Sequence, residues 1–180
     1  MRDLDLKLLR LMRTRGHTPA LERAATLLGK AGNNGASWFL AGAALAAADA
    51  SRRRAWATCA ALGPAAIGLN YGVKLIARRP RPTLKGLPPL GGAPSSLSFP
   101  SAHSTSSFAV ATAMTRVDRR AAVAFVPAFA VAAGRPYLGM HYPSDVAVGV
   151  ALGTLLGLAV PLPRDEAPLP PRSPSPEVPR

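Results

Sequence analysis

The sequence contains a single cysteine, Cys59, which excludes an internal disulfide framework and a CxxC metal site. Aromatic residues make up only 6% of the chain against 48% hydrophobic residues, so a core of bulky aromatics is excluded. Alanine and glycine carry much of the apolar content instead. Acidic residues are scarce, 9 against 22 basic, which leaves a formal charge of +13 and a pI near 11.5. A balance of that sign points to nucleic acid or anionic lipid, or to no more than a solvated basic surface. Charge of either sign is sparse, 17% of residues, and it lies between apolar blocks. That distribution favours helices packed through small residues in a bilayer. At 180 residues one domain is expected.

No secretory signal is expected, because MRDLDLKLLRLMRTRG has no uninterrupted apolar core and no small-residue cleavage site. Leu4, Leu8, Leu11 and Met12 recur at helical spacing, with Lys7, Arg10, Arg13 and Arg15 between them. This is the pattern of an amphipathic helix lying on a membrane surface, or of an ordinary surface helix. Thr18 and Pro19 read as an N-cap and a first helical residue, so a second helix is expected from Pro19 to Lys30, ended by Gly32 to Gly35. Apolar helical blocks then cover Ala36–Ala50, Ala55–Ala77, Ala102–Thr115, Ala121–Tyr137 and Val146–Leu162. Several are shorter than the ~20 residues a full span requires. Trp38, Trp56, Tyr71, Tyr137 and Tyr142 stand near helix ends, where an aromatic belt belongs. The expected fold is all-α, an integral membrane bundle of about five spanning helices plus N-terminal interfacial, amphipathic helices. Residues 1–35 hold the amphipathic helices and 36–162 the membrane-embedded domain. Residues 163–180 form a disordered tail, since Pro161–Arg180 carries eight prolines in twenty residues. Thr83–Phe99 is too rich in Pro, Gly and Ser to form a long helix.

Tracing these blocks through space brings remote polar clusters together. Ala55–Ala77 ends in a basic cluster and is stopped by Pro80 and Pro82. Ser101 starts a descending helix, the basic turn Arg116–Arg120 reverses the chain, and the next helix climbs to Arg135. Pro143 opens the last helix just after His141. One end of the bundle therefore gathers Lys74, Arg78, Arg79 and Arg81, then Ser101 to His103, then Arg135, His141 and Asp145. The other end receives Arg52–Arg54, Arg116–Arg120 and the tail. Lys and Arg suit a phosphate, one as a point charge and the other as a bidentate fork. The amide end of the helix that opens at Ser101 is a natural anion site. Asp145 follows His141 by four residues, so its carboxylate can hydrogen-bond one imidazole nitrogen and leave the other as nucleophile or base. Taken singly, each feature has a plainer reading. A basic cluster anchors a helix at the membrane interface, a lone histidine is structural, and Pro-Ser caps a helix. His17 has no such company and reads as a surface residue.

Together, Lys74-x6-Arg81-Pro82, Pro100-Ser101-x-His103 and Arg135-x5-His141-x3-Asp145 resemble the three-part signature of the phosphatidic acid phosphatase type 2 superfamily. The resemblance covers about residues 36–160, and the run from Tyr137 to Asp145 also looks like the family. It implies that Lys74, Arg81 and Arg135 hold the phosphoryl oxygens, with Ser101 and the backbone amide of Ala102 or His103. It implies that His141, oriented by Asp145, attacks phosphorus to form a phosphohistidine, and that His103 protonates the leaving oxygen. Catalysis is then electrostatic clamping and positioning with a covalent relay. No cofactor and no metal is expected, since the site has too few carboxylates for a magnesium pair and no cysteine ligand. Family members usually carry serine before the third-motif arginine. Here it is Gly134, which removes one side-chain hydrogen bond to phosphate. The usual second-motif glycine is Ala102, which keeps its backbone amide. Activity is expected to survive both departures.

The expected protein is a metal-independent phosphatase of a bacterial-type plasma membrane, acting on a lipid phosphate or diphosphate. A polyprenyl phosphate or diphosphate, as in undecaprenyl-diphosphatase-like enzymes, is favoured; phosphatidate and phosphatidylglycerophosphate also fit. Its partners are the lipid substrate and the bilayer, with no nucleic acid, because no nucleic-acid motif is recognised. The active site is expected to face outside, since the basic turns at the opposite end obey the positive-inside rule. Two alternatives share part of the pattern. A soluble acid phosphatase or vanadate-dependent haloperoxidase carries the same signature on a longer chain without clean apolar helices. A non-catalytic basic module binding acidic lipid or nucleic acid leaves Asp145 and both histidines idle.

Overall fold

The computed structural model describes residues 2–92 and 95–163; the expected disordered tail lies, from residue 164 on, outside the described residues. The regular structure among these residues is helical: α1 (Arg2–Thr14), α2 (Pro19–Ala31), α3 (Ala36–Ala48), α4 (Arg53–Ala77), α5 (Ala102–Val117), α6 (Phe125–Tyr137) and α7 (Pro143–Ala159). Isolated bridges, Pro80 with Leu97 and Leu84 with Leu87, brace the long loop between α4 and α5.

Local chemistry sets the helix boundaries. The Thr18 hydroxyl accepts from Leu21 N at 3.2 Å, and Pro19 takes the first helical position, where its missing N–H costs nothing. α4 ends at Arg78, which adopts the left-handed conformation (φ 47°) ahead of Arg79 and Pro80. α3 stops at Ala48, short of the expected Ala50, because Asp49 leaves helical geometry to accept from Ser51, Arg52 and Trp56. The helix expected from Ala121 begins at Phe125 instead. Arg119–Ala124 form a 3-10 turn pinned by the Asp118 carboxylate, which accepts from Arg120 N at 2.8 Å. Pro127 then falls in the first turn of α6, where it has no intrahelical hydrogen bond to lose. α7 starts at Pro143, as expected, with Asp145 turning back to accept from Tyr142 N at 2.9 Å ahead of the apolar block that begins at Val146. It ends at Ala159 rather than Leu162, since Val160 is held extended before Pro161.

α5 is the central helix, packed by α4, α6 and α7, and every residue from Ser104 to Met114 is buried. Hydroxyls on such a helix need internal partners. Trp38 Nε1 donates to Ser107 Oγ and Asn70 Nδ2 to Thr105 Oγ1, both at 2.9 Å. α5 and α7 meet backbone to backbone along Gly149, Gly153 and Gly157. A Cβ at Gly149 would stand 2.7 Å from Ser101 O, and one at Gly153 would collide with the Thr105 carbonyl. Gly42 of α3 lies against Ala60 of α4 in the same way. Large apolar side chains point outward from this bundle, among them Leu75 and Ile76 of α4, Val126 and Phe129 of α6, and Leu155 and Leu158 of α7. Among the described residues one helix, Ala50–Ala77, is long and apolar enough to cross a membrane by length and composition. α3 and α7 are shorter apolar helices. The 13 residues of α3 extend about 20 Å, less than the ~30 Å of a hydrocarbon core.

The lower end of the bundle is tied by charge. Arg52 bridges Asp49 and Asp118 at 2.7 and 2.9 Å, and Arg116 Nη1 donates to Gly157 O and Val160 O at the C-terminus of α7. The N-terminal helix behaves differently from a simple surface helix. Leu4, Leu8 and Leu11 are exposed, but Asp5, Leu9 and Arg13 are buried where α1 meets α6 and α7. Arg13 donates to Pro88 O at 2.8 Å and to Tyr137 O at 3.3 Å, which joins α1 to the long loop and the end of α6. His17, expected at the surface, is stacked flat on Tyr137 at 3.9 Å, with its nitrogens bonded to Glu22 and Met12 O.

Candidate active site

At the upper end, α4 and α6 finish where α5 and α7 begin. Ser101 N donates to Asp145 O at 3.0 Å, so the second and third motifs share a backbone hydrogen bond. A cleft of about 150 Å³ opens here, lined by Lys74, Arg81, Ala102, His103, Arg135 and His141. Asn33, Tyr71 and Ser95 complete its wall.

His141 is buried between the cleft and Asp145. Its Nδ1 stands 3.5 Å from Asp145 Oδ2, a separation that brings the charges together without a closed hydrogen bond. That oxygen is taken by Tyr142 N at 2.9 Å, and the other carboxylate oxygen accepts from Arg79 Nη1 at 2.7 Å. On the opposite edge, Arg81 Nη1 points at His141 Nε2 from 3.2 Å. A guanidinium only donates, so Nε2 is the lone-pair nitrogen and Nδ1 carries the proton toward Asp145. Burial holds the imidazole well below its ordinary pKa; Asp145 opposes this, and Arg81 and Lys74 add to it. A neutral imidazole with an Nε2 lone pair in a cationic cleft is the form required of a nucleophile.

His103 is oriented by the N-terminal arm. Its Nε2 lies 2.9 Å from Gly29 O at the end of α2 and 3.2 Å from Asn33 Oδ1. Both partners accept, so Nε2 carries a proton and Nδ1 is the nitrogen left for proton exchange with a ligand.

The cations differ in how free they are. Lys74 Nζ donates to Leu97 O, Ser98 O and Pro100 O at 3.3, 3.0 and 2.8 Å, which uses all three ammonium protons. It holds the strand of loop leading into Ser101 and supplies the cleft with charge. Arg81 is fixed by Ser95 O and Met140 O at 2.8 and 2.6 Å. Arg135 is buried with no hydrogen-bond partner at Nε, a donor awaiting an acceptor. Ser101, expected to contact phosphate, lies beneath the cleft. Its hydroxyl caps α5 and accepts from Ser104 Oγ at 3.0 Å. The amides of Ala102 and His103 open the helix at the cleft wall, ahead of the first intrahelical acceptor. Gly134 is not among the lining residues. A Cβ there would stand 3.5 Å from Ala25 Cβ, so the position faces α2. Among the described residues, no group of three or more His, Cys, Asp or Glu side chains could hold a metal ion.

The sequence model of the PAP2 superfamily matches residues 54–166, more than half of the chain. The chain belongs to the PAP2 superfamily. Its PAP2 relatives include the decaprenylphosphoryl-5-phosphoribose phosphatase of Mycobacterium tuberculosis, 38% identical over 143 residues, 79% of this chain and 80% of that protein. The enzyme of the same name from Mycolicibacterium smegmatis is 36% identical over 132 residues, 73% of this chain and 72% of that one. Among solved PAP2-like structures, Aquifex aeolicus LpxE superposes with a TM-score of 0.71 at 27% identity, covering 86% of this chain and 93% of that one. A transmembrane PAP2 type phosphatidylglycerolphosphate phosphatase from Bacillus subtilis shares the fold, with a TM-score of 0.64 at 24% identity over 87% of this chain and 82% of that one. Two groups that build this PAP2 site were not legible in the motifs. Arg79 lies inside the basic cluster, but nothing in its spacing marks it as the partner of Asp145. Asp5, Gly29 and Asn33 come from the N-terminal arm, which carries no motif.

Proposed function

We propose that this membrane lipid phosphatase removes phosphate from a polyprenyl phosphate-type lipid, with His141 as nucleophile and His103 as general acid. The observation that carries the reading is one cleft in which Lys74, Arg81 and Arg135 surround a neutral His141, with a second histidine on its wall. The mycobacterial relatives named for a decaprenyl lipid support the substrate class. In this reading the cleft of about 150 Å³ takes the phosphoryl group while the isoprenoid chain stays in the bilayer.

In the proposed reaction Arg81, Arg135 and the amides of Ala102 and His103 take the phosphoryl oxygens. Lys74 contributes charge and can exchange its longest carbonyl contact for phosphate. His141 Nε2 attacks phosphorus as the bond to the alcohol oxygen breaks, and that oxygen takes the Nδ1 proton of His103, which enters the step as the imidazolium with its Nε2 proton still donated to Gly29 O. Water then attacks the phosphohistidine and gives its proton to His103, which frees phosphate and restores His141. Residues 36–162 form the membrane-embedded part in this reading, with 1–35 at its surface. The active site faces outside, since Arg52–Arg54 and Arg116–Arg120 mark the inner end.

Phosphate release by the purified protein in detergent, from polyprenyl phosphate, polyprenyl diphosphate, phosphatidate and phosphatidylglycerophosphate, tests the substrate class. Faster turnover of the polyprenyl lipids is expected; faster turnover of phosphatidate would overturn the choice of chain. A cysteine placed at Lys85 in a Cys59→Ala background should react with an impermeant maleimide on intact cells, and one at Arg119 should not. The reverse pattern would invert the topology.

A further inference from the structure

α1 lies outside the segment matched by the family, residues 54–166, yet it reaches the group behind the nucleophile. Its Asp5 is buried, a costly place for a carboxylate without partners. The partners are specific. Asp5 Oδ2 accepts from Arg79 Nη2 at 2.7 Å, Oδ1 accepts from Ser144 N at 3.0 Å, and Ser144 Oγ also donates to Asp5. Burial raises the Asp5 carboxyl, but the Ser144 and Arg79 hydrogen bonds outweigh it and hold the group below its usual range, so it is ionised. The other amino group of Arg79 donates to Asp145 Oδ1 and to Ser144 Oγ, both at 2.7 Å. The guanidinium rests on the Tyr142 ring, 4.0 Å from its centroid.

Arg79 therefore bridges two carboxylates, one on the N-terminal helix and one beside His141. We infer that Asp5 is a positioning residue for phosphoryl transfer, acting through Arg79 on the Asp145 carboxylate that faces His141. The inference rests on His141 being the nucleophile. Shared between two acids, Arg79 neutralises Asp145 only in part and holds it from the side away from the imidazole. Without the Asp5 charge, the guanidinium closes on Asp145 alone. It then draws negative charge and orientation from a contact that is already 3.5 Å long. α1 is held for this task by buried Leu9 and by the Arg13 hydrogen bonds to Pro88 O and Tyr137 O. Its exposed Leu4, Leu8 and Leu11 are left free to face the bilayer surface.

The test uses the full chain in detergent with a polyprenyl phosphate. Asp5→Asn keeps the side-chain shape and removes the charge; it is expected to lower kcat about 10-fold with KM little changed. Asp3→Asn, the same charge change at an exposed site on α1, is expected to turn over like the parent. Arg79→Gln is expected to be slow as well, and the double variant Asp5→Asn/Arg79→Gln no slower than Arg79→Gln alone, because Asp5 acts through Arg79. Unchanged kcat in Asp5→Asn would overturn the inference, even with a lowered melting temperature. So would losses that multiply in the double variant, or an effect confined to KM. His141→Ala separates the two readings. Residual turnover there overturns the nucleophile assignment and this inference with it; an inactive His141→Ala beside a silent Asp5→Asn overturns the inference alone.

Discussion

Replacing Gly29 with alanine adds one methyl group and removes no reacting atom, yet it is expected to lower kcat/KM about 10-fold to 100-fold. Gly29 is the buried residue of α2, on the face that packs against α6. A Cβ there collides with Arg135 Nη1 and stands 3.5 Å from Arg135 Cζ. The helix has little room to back away, because Gly29 O accepts from His103 Nε2 at 2.9 Å and Gly32 lies against the same ring. The guanidinium gives way instead, by about 1 Å, and a misplacement of that size in a clamping group costs up to ~10²-fold. A 10-fold to 100-fold loss corresponds to about 1.4–2.7 kcal/mol of transition-state stabilisation. Stability moves the other way, since alanine is favoured over glycine in a helix interior by roughly 0.5–1 kcal/mol. The signature is a loss of kcat/KM without a lower melting temperature. It is read by phosphate release and a circular-dichroism melt on the same detergent sample. Unchanged kcat/KM would refute the assignment of Arg135 as a phosphate clamp. A fall in melting temperature matching the activity loss would show that the collision reaches the α2–α6 backbone, against the local shift argued here.

His103→Ala should lose ~10²–10⁴-fold on an alkyl phosphate, whose leaving alkoxide needs a proton, and much less on p-nitrophenyl phosphate; equal losses would reject the general-acid role. Hydrolysis should persist in excess EDTA and be inhibited by vanadate, which resembles five-coordinate phosphorus; loss on chelation restored by magnesium would refute a metal-independent mechanism. The His141 ring should stay neutral as pH falls through 6.5, followed by NMR of labelled histidine with His141→Gln for assignment. Its folded pKa is depressed, so its contribution to stability is present above the unfolded value and is lost as pH falls below 6.5 toward the folded one. Protonation at 6.5 or above would refute the depression.

The residues proposed to react were legible as a cluster because each sits at a helix end whose punctuation is local. Pro80 and Pro82 follow the stop of α4, Ser101 caps α5, and Pro143 opens α7. The basic turn after α5 and the short loop after α6 reverse the chain, which returns the third motif to the end where α5 starts, and the long loop from α4 stays at that same end. The alanine- and glycine-rich composition likewise announced close packing, although the seam of Gly149, Gly153 and Gly157 emerged only where it touches the α5 carbonyls. Hydropathy alone understated α5 as a core helix, because its Ser and Thr are buried against neighbouring helices of the bundle.

Sequence alone thus determined the helical class, the family and the side chains proposed to react, since these depend on residue type and on spacing within a turn or two. Tertiary structure alone decided the second layer around them. Nothing local says that Asp5 pairs with Arg79, 74 positions away, or that Gly29 O takes His103 at the same separation. Nor does residue type reveal that Lys74 holds three loop carbonyls or that the Ser101 hydroxyl accepts from Ser104 Oγ beneath the cleft. The physical reason is common to all four. A buried charge or polar group must be satisfied by whatever partner the fold brings within about 3 Å, and that partner is a property of the packed chain, not of its neighbours in sequence.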